Sequence, residues 1–454
     1  MPIDERLERA LEYADRWLAY RRWRLRIPGV QVAVRVDGEL ALSSAHGVAD
    51  ELTGEALTPQ HRFRIASHSK SIAALAVARL VEQGALRFDD RVDAHVPELR
   101  DAEAGALTLA DLLSHGSGLT RDGEDVAFWA LEAAFPERDA LVELVGGDAS
   151  RLPVATELKY SNIGFGLVGL LVEAVTGASY ADALGTLLVA PLGLTATTAE
   201  LGGAAEGPLA SGHSGLHSAD ARRVLGSPTS GALAAATGAV STAAELSDLL
   251  RTVTDADDRL LEAATRRRLR QRRWSASSRS GSSLGYGLGL MLTTVDERTW
   301  VGHGGAWTGQ ATRTLVDPER DLVVSVLTNA IDGPAEELAV GVARILHRAL
   351  QGEAPDRAEE LRSFEGTFAS IWGRMDVVEL GGELLAITPT APDPLAAVDV
   401  LEPLGDDRVR ITAATAMGSG HEIARVERDD EGRVARWRGA WHMDAVAALP
   451  DGER

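Results

Sequence analysis

The sequence contains no cysteine. That absence removes disulfides, thiolate metal sites and every cysteine nucleophile, so any covalent catalyst has to be another residue type. Lysine is nearly as scarce: 44 of the 46 basic residues are arginine, and only Lys70 and Lys159 remain. In a chain that avoids lysine, a surviving one marks a place where a permanently charged guanidinium does not replace an amine that can lose its proton. Asparagine occurs only as Asn162 and Asn329, and the first lies three residues from Lys159. Long apolar runs are missing too. The longest uncharged stretches, such as IGFGLVGLLV from Ile163, are about ten residues, against the roughly 18 that cross a bilayer. Residues 1–17 alternate acids and bases where a secretory leader carries an apolar core of about 7–15 residues. A soluble, cytoplasmic protein without a membrane partner is expected.

What is present is ordinary for a globular chain: 45% apolar and 25% charged residues over 454 positions. At roughly 150 residues per domain this allows two or three domains and a core that needs no staples. The net charge of −21 repels phosphate backbones and anionic headgroups, which excludes nucleic acid as a partner. Among the 11 histidines there is no H-E-x-x-H or comparable cluster, so no metal and no cofactor is expected.

Leu7, Leu11, Ala14 and Leu18 at three- and four-residue spacing predict an opening helix stopped by Pro28-Gly29. VQVAVRV and ELALSSAHG around Asp37-Gly38 predict a hairpin. Residues 67–83 predict a helix capped by Gly84, residues from about 100 to 275 are mostly helical with loops, and strands return near Gly285, ahead of a closing helix over Ala335–Leu350. Two early strands, a long helical insertion and several late strands fit an α+β domain, one antiparallel sheet flanked by helices with a helical subdomain at about 100–280. The expected boundaries are 1–352 for this domain and 363–454 for a small C-terminal β-barrel, whose strands MDVVEL and ELLAI flank Gly381-Gly382.

Ser67-His68-Ser69-Lys70 places a hydroxyl and an amine three apart at a helix start, so both project from one face. A serine hydroxyl is a weak nucleophile until a base accepts its proton, and an amine serves as that base only when burial or charge lowers its pKa. The helix dipole disfavours the ammonium, and the Ser67 N–H can point at a developing oxyanion. Otherwise Ser67 is a helix cap and Lys70 a solvated residue. Tyr160-Ser161-Asn162 puts a phenol and an amide at a second helix start. A phenolate made accessible by a cationic lysine would take the Ser67 proton and return it to the leaving group, while Asn162 holds a substrate amide or Lys70. A packed tyrosine and an Asn cap are the alternatives. His303-Gly304-Gly305 ends the strand TWVGH, and its glycines permit close backbone approach. Such an edge leaves the Ala306 N–H as a second oxyanion donor and His303 as a polar substrate contact, the alternative being a β-turn.

Together these motifs resemble the serine penicillin-recognising enzymes: class C β-lactamases, D-Ala-D-Ala carboxypeptidases, D-aminopeptidases and related esterases. Ser-x-x-Lys at 67–70, Tyr-x-Asn at 160–162 and a His-x-Gly variant of Lys-Thr-Gly at 303–305 stand in order, with FRIAS before the serine and DLLSHGSGL at 111–119. The resemblance covers about residues 25–350. It implies a β-lactamase/transpeptidase-like fold and an acyl-enzyme on Ser67, with Lys70 and Tyr160 moving protons. Histidine replaces the lysine that grips a substrate carboxylate in β-lactamases, a pattern similar to the D-aminopeptidases and esterases. The tail is similar to the lipocalin-like extra domains of those enzymes and of the penicillin-binding-type thioesterases that release and cyclise nonribosomal peptides.

The sequence therefore predicts a serine hydrolase for small-molecule or peptide esters and amides, with Ser67, Lys70 and Tyr160 as catalysts and Asn162, His303, Gly305 and Ala306 around the substrate. A thioesterase or peptide cyclase is one alternative, a non-catalytic binding module another, and homo-oligomerisation is left open. Competing patterns are set aside: Gly164–Gly169 matches G-x-G-x-x-G but follows a polar segment, and Gly281–Gly285 matches G-x-S-x-G but precedes a strand. His68 reads as a packing or hydrogen-bonding residue and His115 as a structural one, and the arginine clusters at 266–273 and 16–26 as solvated faces.

Overall fold

The computed structural model describes residues 4–217, 219–277, 283–351, 357–414 and 418–449. In chain order the elements that matter here are helix α1 (Glu5–Arg24), strands β1 (Gly29–Val36), β2 (Glu39–Asp50) and β3 (Glu55–Ala56), helices α2 (His68–Glu82), α3 (Asn162–Thr176) and α4 (Ala243–Arg251), strands β4 (Trp274–Ser277), β5 (Ser283–Tyr286), β6 (Met291–Val295), β7 (Arg298–Trp307), β8 (Gln310–Asp317) and β9 (Leu322–Thr328), and helix α5 (Ala335–Gln351). By packing the chain forms two compact units, Pro28–Glu336 and the terminal segments Met1–Ile27 with Glu337–Arg454.

The unit Pro28–Glu336 is built on a nine-stranded sheet in the order β3-β2-β1-β9-β8-β7-β6-β5-β4, antiparallel at every pairing. The early strands thus join the late ones through β1 and β9, with the helical insertion between them in sequence. Asp37 and Gly38 both have positive φ (48° and 85°), so the predicted hairpin is the tight two-residue kind whose twist matches its strands. Helix α2 is buried from His68 to Ala78. A helix covered on all sides has to be apolar on all sides, which its run from Ile72 to Ala78 is. Its fit is close: a Cβ on Gly289 would lie 2.4 Å from that of Ala74. The apolar run of α3 is likewise buried from Asn162 to Val172, and among the described residues no single helix is long and apolar enough to cross a membrane. Helix α4 packs on β1 and β9.

In the other unit eight strands, β10 (Gly366–Ser370), β11 (Gly373–Leu380), β12 (Glu383–Ile387), β13 (Val398–Gly405), β14 (Arg408–Ala413), β15 (Ile423–Arg428), β16 (Val434–Gly439) and β17 (Met443–Ala445), pair in sequence order. β17 returns to β10 through Phe368 and Ala445, so the barrel is closed and leaves no sheet edge. Its core holds Phe368, Leu384, Ile411 and Trp437, with the Phe368 ring edge-on to Trp437 at 5.9 Å. α1 belongs to this unit, and its arginines are not a solvated face throughout: Arg21 is buried and paired with Glu337, and Arg9 is paired with Glu365 and Glu379.

Truncating Trp437 to Ala removes the largest side chain of the barrel core and is expected to cost about 3–5 kcal/mol of stability. Urea unfolding of the full chain, followed by far-ultraviolet circular dichroism, measures this.

Candidate active site

Ser67 stands at the N-cap of α2, after a turn in which Ala66 has φ 49°. A residue with a Cβ occupies this left-handed region only when its surroundings enforce it. Here they do. The Ile65 N–H donates to the Ala239 carbonyl at 3.0 Å, while the Ser69 hydroxyl donates to the Ala66 carbonyl at 2.6 Å and accepts from the Ala239 N–H at 2.9 Å. The Ser67 side chain makes no capping bond, which leaves its Oγ for other partners.

One partner is Lys70, whose Nζ donates to Ser67 Oγ at 3.1 Å and to the Ala236 carbonyl at 2.8 Å. Lys70 has no exposed surface, so it is not a solvated helix residue. Burial, aided by the charge of Arg121 and opposed by Asp122, holds its pKa well below the usual lysine range. The other partner is Tyr160, hydrogen-bonded to the Ser67 side chain, with its ring centroid 4.8 Å from Lys70 Nζ. Burial raises the Tyr160 pKa, and the Ser67 bond and Arg121 offset only part of that. The two groups move in opposite directions, so the free amine becomes accessible while the phenol keeps its proton. The expected phenolate is disfavoured because burial outweighs nearby positive charge.

His115 places Tyr160. Its carbonyl accepts from the Lys159 N–H at 2.8 Å, its Nδ1 accepts from the Ser161 N–H at 3.1 Å, and its ring lies 4.1 Å from the Tyr160 ring. Because Nδ1 accepts, the neutral ring carries its proton on Nε2, and burial holds its pKa well below the usual histidine value. His115 itself has φ 60°. The structural role read for His115 is this clamp, whose partner the sequence does not show because 45 residues separate it from Tyr160.

Asn162 opens α3 behind Ser161, whose hydroxyl caps the Gly164 N–H at 2.9 Å. Its Nδ2 donates to Asp122 at 2.6 Å and not to Lys70, and its Oδ1 is buried with no partner among the described residues. Asp122 also meets Arg121 at 3.2 Å, and the Arg121 guanidinium lies 5.4 Å from the Tyr160 centroid. Neither residue carries a motif in the sequence.

His303 differs from its expected place as a polar substrate contact. It is buried, its Nδ1 donates to the Gly304 carbonyl at 2.6 Å, and its Nε2 therefore accepts from the Tyr286 hydroxyl at 3.0 Å. Burial, then the charge of Lys70, keeps it neutral. Both ring nitrogens are used inside the protein. Gly305 does allow close approach: a Cβ there would lie 2.3 Å from the Ile65 carbonyl. β6 pairs with β7 only as far as Gly302, so beyond it this edge of β7 carries no ladder to β6, and Ala306 is exposed there. Ser67, Lys70 and Tyr160 are thus together, with the glycine edge drawn against the turn before the serine. His68 lies apart, bonded to the Ile65 carbonyl and to Thr314, its pKa lowered by burial to about 3.

The glycines of the G-x-G-x-x-G match, Gly164–Gly169, lie within α3, where Gly166 makes room for Leu141 and Leu233. Of the G-x-S-x-G match, Gly281 and Ser282 lie outside the described residues. In the 266–273 cluster Arg266 is buried, Arg270 pairs with Asp255 at 2.5 Å and Arg268 covers the Phe88 ring. Among the described residues no group of acidic and histidine side chains is arranged to hold a metal.

A family model described as Beta-lactamase matches residues 12–347. Penicillin-binding protein 4 of Amycolatopsis lactamdurans is 32% identical over 323 residues, 67% of this chain and 81% of that protein. A solved structure named SurE is similar at 25% identity and TM-score 0.64, over 96% of this chain and 99% of its own. The D-amino acid amidase of Ochrobactrum anthropi SV3, solved with L-phenylalanine amide, is similar at 25% identity and TM-score 0.62, over 75% of this chain and 97% of its own.

Two substitutions test the geometry. Gly305→Val, which drives a side chain into the Ile65 turn, and His115→Ala, which releases Tyr160, are each expected to slow reaction of Ser67 with a fluorophosphonate by roughly 10- to 100-fold, the scale of a misplacement near 1 Å. Intact-protein mass against time measures both.

Proposed function

Because the chain belongs to the Beta-lactamase family, we propose that it is a serine hydrolase that forms an acyl-enzyme on Ser67 and cleaves small esters or amides. The observation that carries this is the Ser67 hydroxyl lying between the Tyr160 phenol and the buried Lys70 amine at 3.1 Å. The free amine accepts the Ser67 proton as Oγ attacks the carbonyl carbon. The Ser67 and Ala306 N–H groups hold the oxyanion, which needs no reorganisation of the backbone. Tyr160, hydrogen-bonded to the Ser67 side chain, gives its phenolic proton to the leaving group and is reprotonated by Lys70. Water then attacks the acyl-enzyme by the same route in reverse.

The neutral, internally bonded His303 supplies no cation for a substrate carboxylate. That favours esters and amides over substrates gripped by a free carboxylate, in line with the likeness to the D-amino acid amidase. A second reading replaces water by an amine, as in the penicillin-binding-type thioesterases, and the closed eight-stranded barrel favours it because those enzymes carry such a domain. Adding an amine during ester turnover separates the two: amide product supports transfer, acid alone supports hydrolysis.

A fluorophosphonate is expected to add once to the protein and not to Ser67→Ala; no adduct on the folded protein would favour a non-catalytic binding module. Lys70→Ala is expected to lower kcat/KM for p-nitrophenyl esters by at least about a thousandfold. The base works only when unprotonated, so kcat/KM rises with pH through the Lys70 pKa and levels above it. Because that pKa is depressed, the rise is expected well below the usual lysine value of 10.5. A pH–rate profile in which the rise sits near 10.5 would remove Lys70 as the base.

A further inference from the structure

The barrel has a mouth of about 570 Å³ at the end where β10 turns into β11. Trp372, Met375, Ala386, Asp399, Trp441 and Met443 are among its walls. That volume falls within the range that holds a small ligand. The mouth belongs to the barrel unit, and nothing in it rests on the chemistry at Ser67.

Asp399 breaks the pattern of the barrel wall. Along β12 and β13 the ladder sets Leu384 opposite Leu401 and Ala386 opposite Asp399. Directly opposed residues share a face of the sheet, and so do side chains two apart on one strand. Leu384, Ala386 and Leu401 all belong to the barrel core, so Asp399 holds the next inward position, where an apolar residue would continue the row. It is half-buried, and among the described residues no cation or donor engages it: burial alone moves its carboxyl, upward. Arg374 also borders the mouth, but it precedes inward Met375 and so points outward, where its guanidinium covers the Tyr20 ring at 4.1 Å and donates to the Ala448 carbonyl at 2.5 Å. His442, exposed at the rim, is engaged by Arg438 at 3.0 Å.

Around this carboxylate the walls are aromatic rings and thioethers. Trp441 rests against the core indole of Trp437, with centroids 5.6 Å apart and planes at 69°. Met443 lies opposite Trp437 and Met375 opposite Phe368, so both thioethers face inward with the core. At the rim Trp372 is 91% exposed, next to Ile371 at 95%, an apolar pair left in water at a concave opening. An indole face attracts a cation, a carboxylate binds it by charge-assisted hydrogen bonds, and adaptable thioethers cover an apolar body. An anion would meet Asp399 as a like charge, and a neutral molecule would cover that charge without pairing it. We infer that the barrel mouth is a binding site for a small organic cation, an ammonium group carried on an apolar body, with the ammonium on Asp399 and the body against Trp372 and Trp441.

Calorimetric titration of the full chain with phenethylamine, 2-phenylethanol and 3-phenylpropionate tests this. About 0.15 M salt screens the diffuse attraction of cations to a chain of net charge −21. Phenethylamine is expected to bind one to one with a Kd of about 1 mM or tighter, and the neutral and anionic probes at least about tenfold more weakly, the scale of one hydrogen bond to a charged group. Asp399→Asn keeps the shape and removes the charge, and is expected to weaken phenethylamine by the same factor. Thr388→Arg, at an exposed position of the same mouth, supplies a competing cation and is expected to do likewise. Far-ultraviolet circular dichroism checks that each variant is folded, and the two substitutions are independent of one another. No saturable binding of phenethylamine, equal binding of 2-phenylethanol, or phenethylamine binding that both variants leave unchanged overturns the assignment.

Discussion

The site depends on one unfavourable act, the complete removal of the Lys70 amine from water. A charged ammonium in such a place is costly, and the cheaper outcome is loss of its proton. The surroundings are consistent with that outcome. The hydrogen-bond partners of Nζ are a serine hydroxyl and the Ala236 carbonyl, neither of them charged. The one carboxylate that raises its pKa, Asp122, is already engaged by Asn162 and Arg121. Three buried histidines, His68, His115 and His303, are all held towards their neutral forms. An ion pair would have kept the lysine charged; this arrangement withholds one.

Burial of that depth is set by backbone geometry more than by side chains. Helix α2 can lie in the centre of its unit because its run from Ile72 to Ala78 is apolar throughout and because Gly289 passes Ala74 without a Cβ. The same tightness forces the turn into α2, where Ala66 takes a left-handed conformation that Ser69 and Ala239 hold from both sides. Gly305 then brings β7 against Ile65 at a distance that no side chain allows. Three neighbouring constraints on the main chain thus put a hydroxyl, an amine and a free strand edge in one place.

These constraints separate what the sequence makes legible from what it hides. Scarcity points to Lys70, and spacing ties it to Ser67, since three residues on a helix start share a face. The hairpin at Asp37-Gly38, the antiparallel sheet and the barrel follow from local patterns of period and turn chemistry. Long-range partners leave no such trace. Nothing in the run AAATG marks Ala236 as the acceptor for Lys70, and nothing near 115 announces that His115 grips the backbone on both sides of Tyr160. Tyr160 is legible as a residue but not in its protonation, because a sequence shows neighbouring charge and hides burial. His303 is misread for a related reason: a histidine at a strand edge looks available until Tyr286, 17 residues earlier, is seen to bond it.

The replacement of a strand lysine by histidine has a counterpart elsewhere in the site. A neutral His303 tied to Tyr286 leaves β7 without a cation at that position. Positive charge is supplied instead by Arg121, two-thirds exposed, which meets Asp122 at 3.2 Å and covers the Tyr160 ring at 5.4 Å. From there it lowers the pKa of both Lys70 and Tyr160. The cation thus stands over the phenol, on the side where the proposed leaving group departs. A charge in that position acts on proton transfer, and being largely in water it is screened and weak as a fixed anchor.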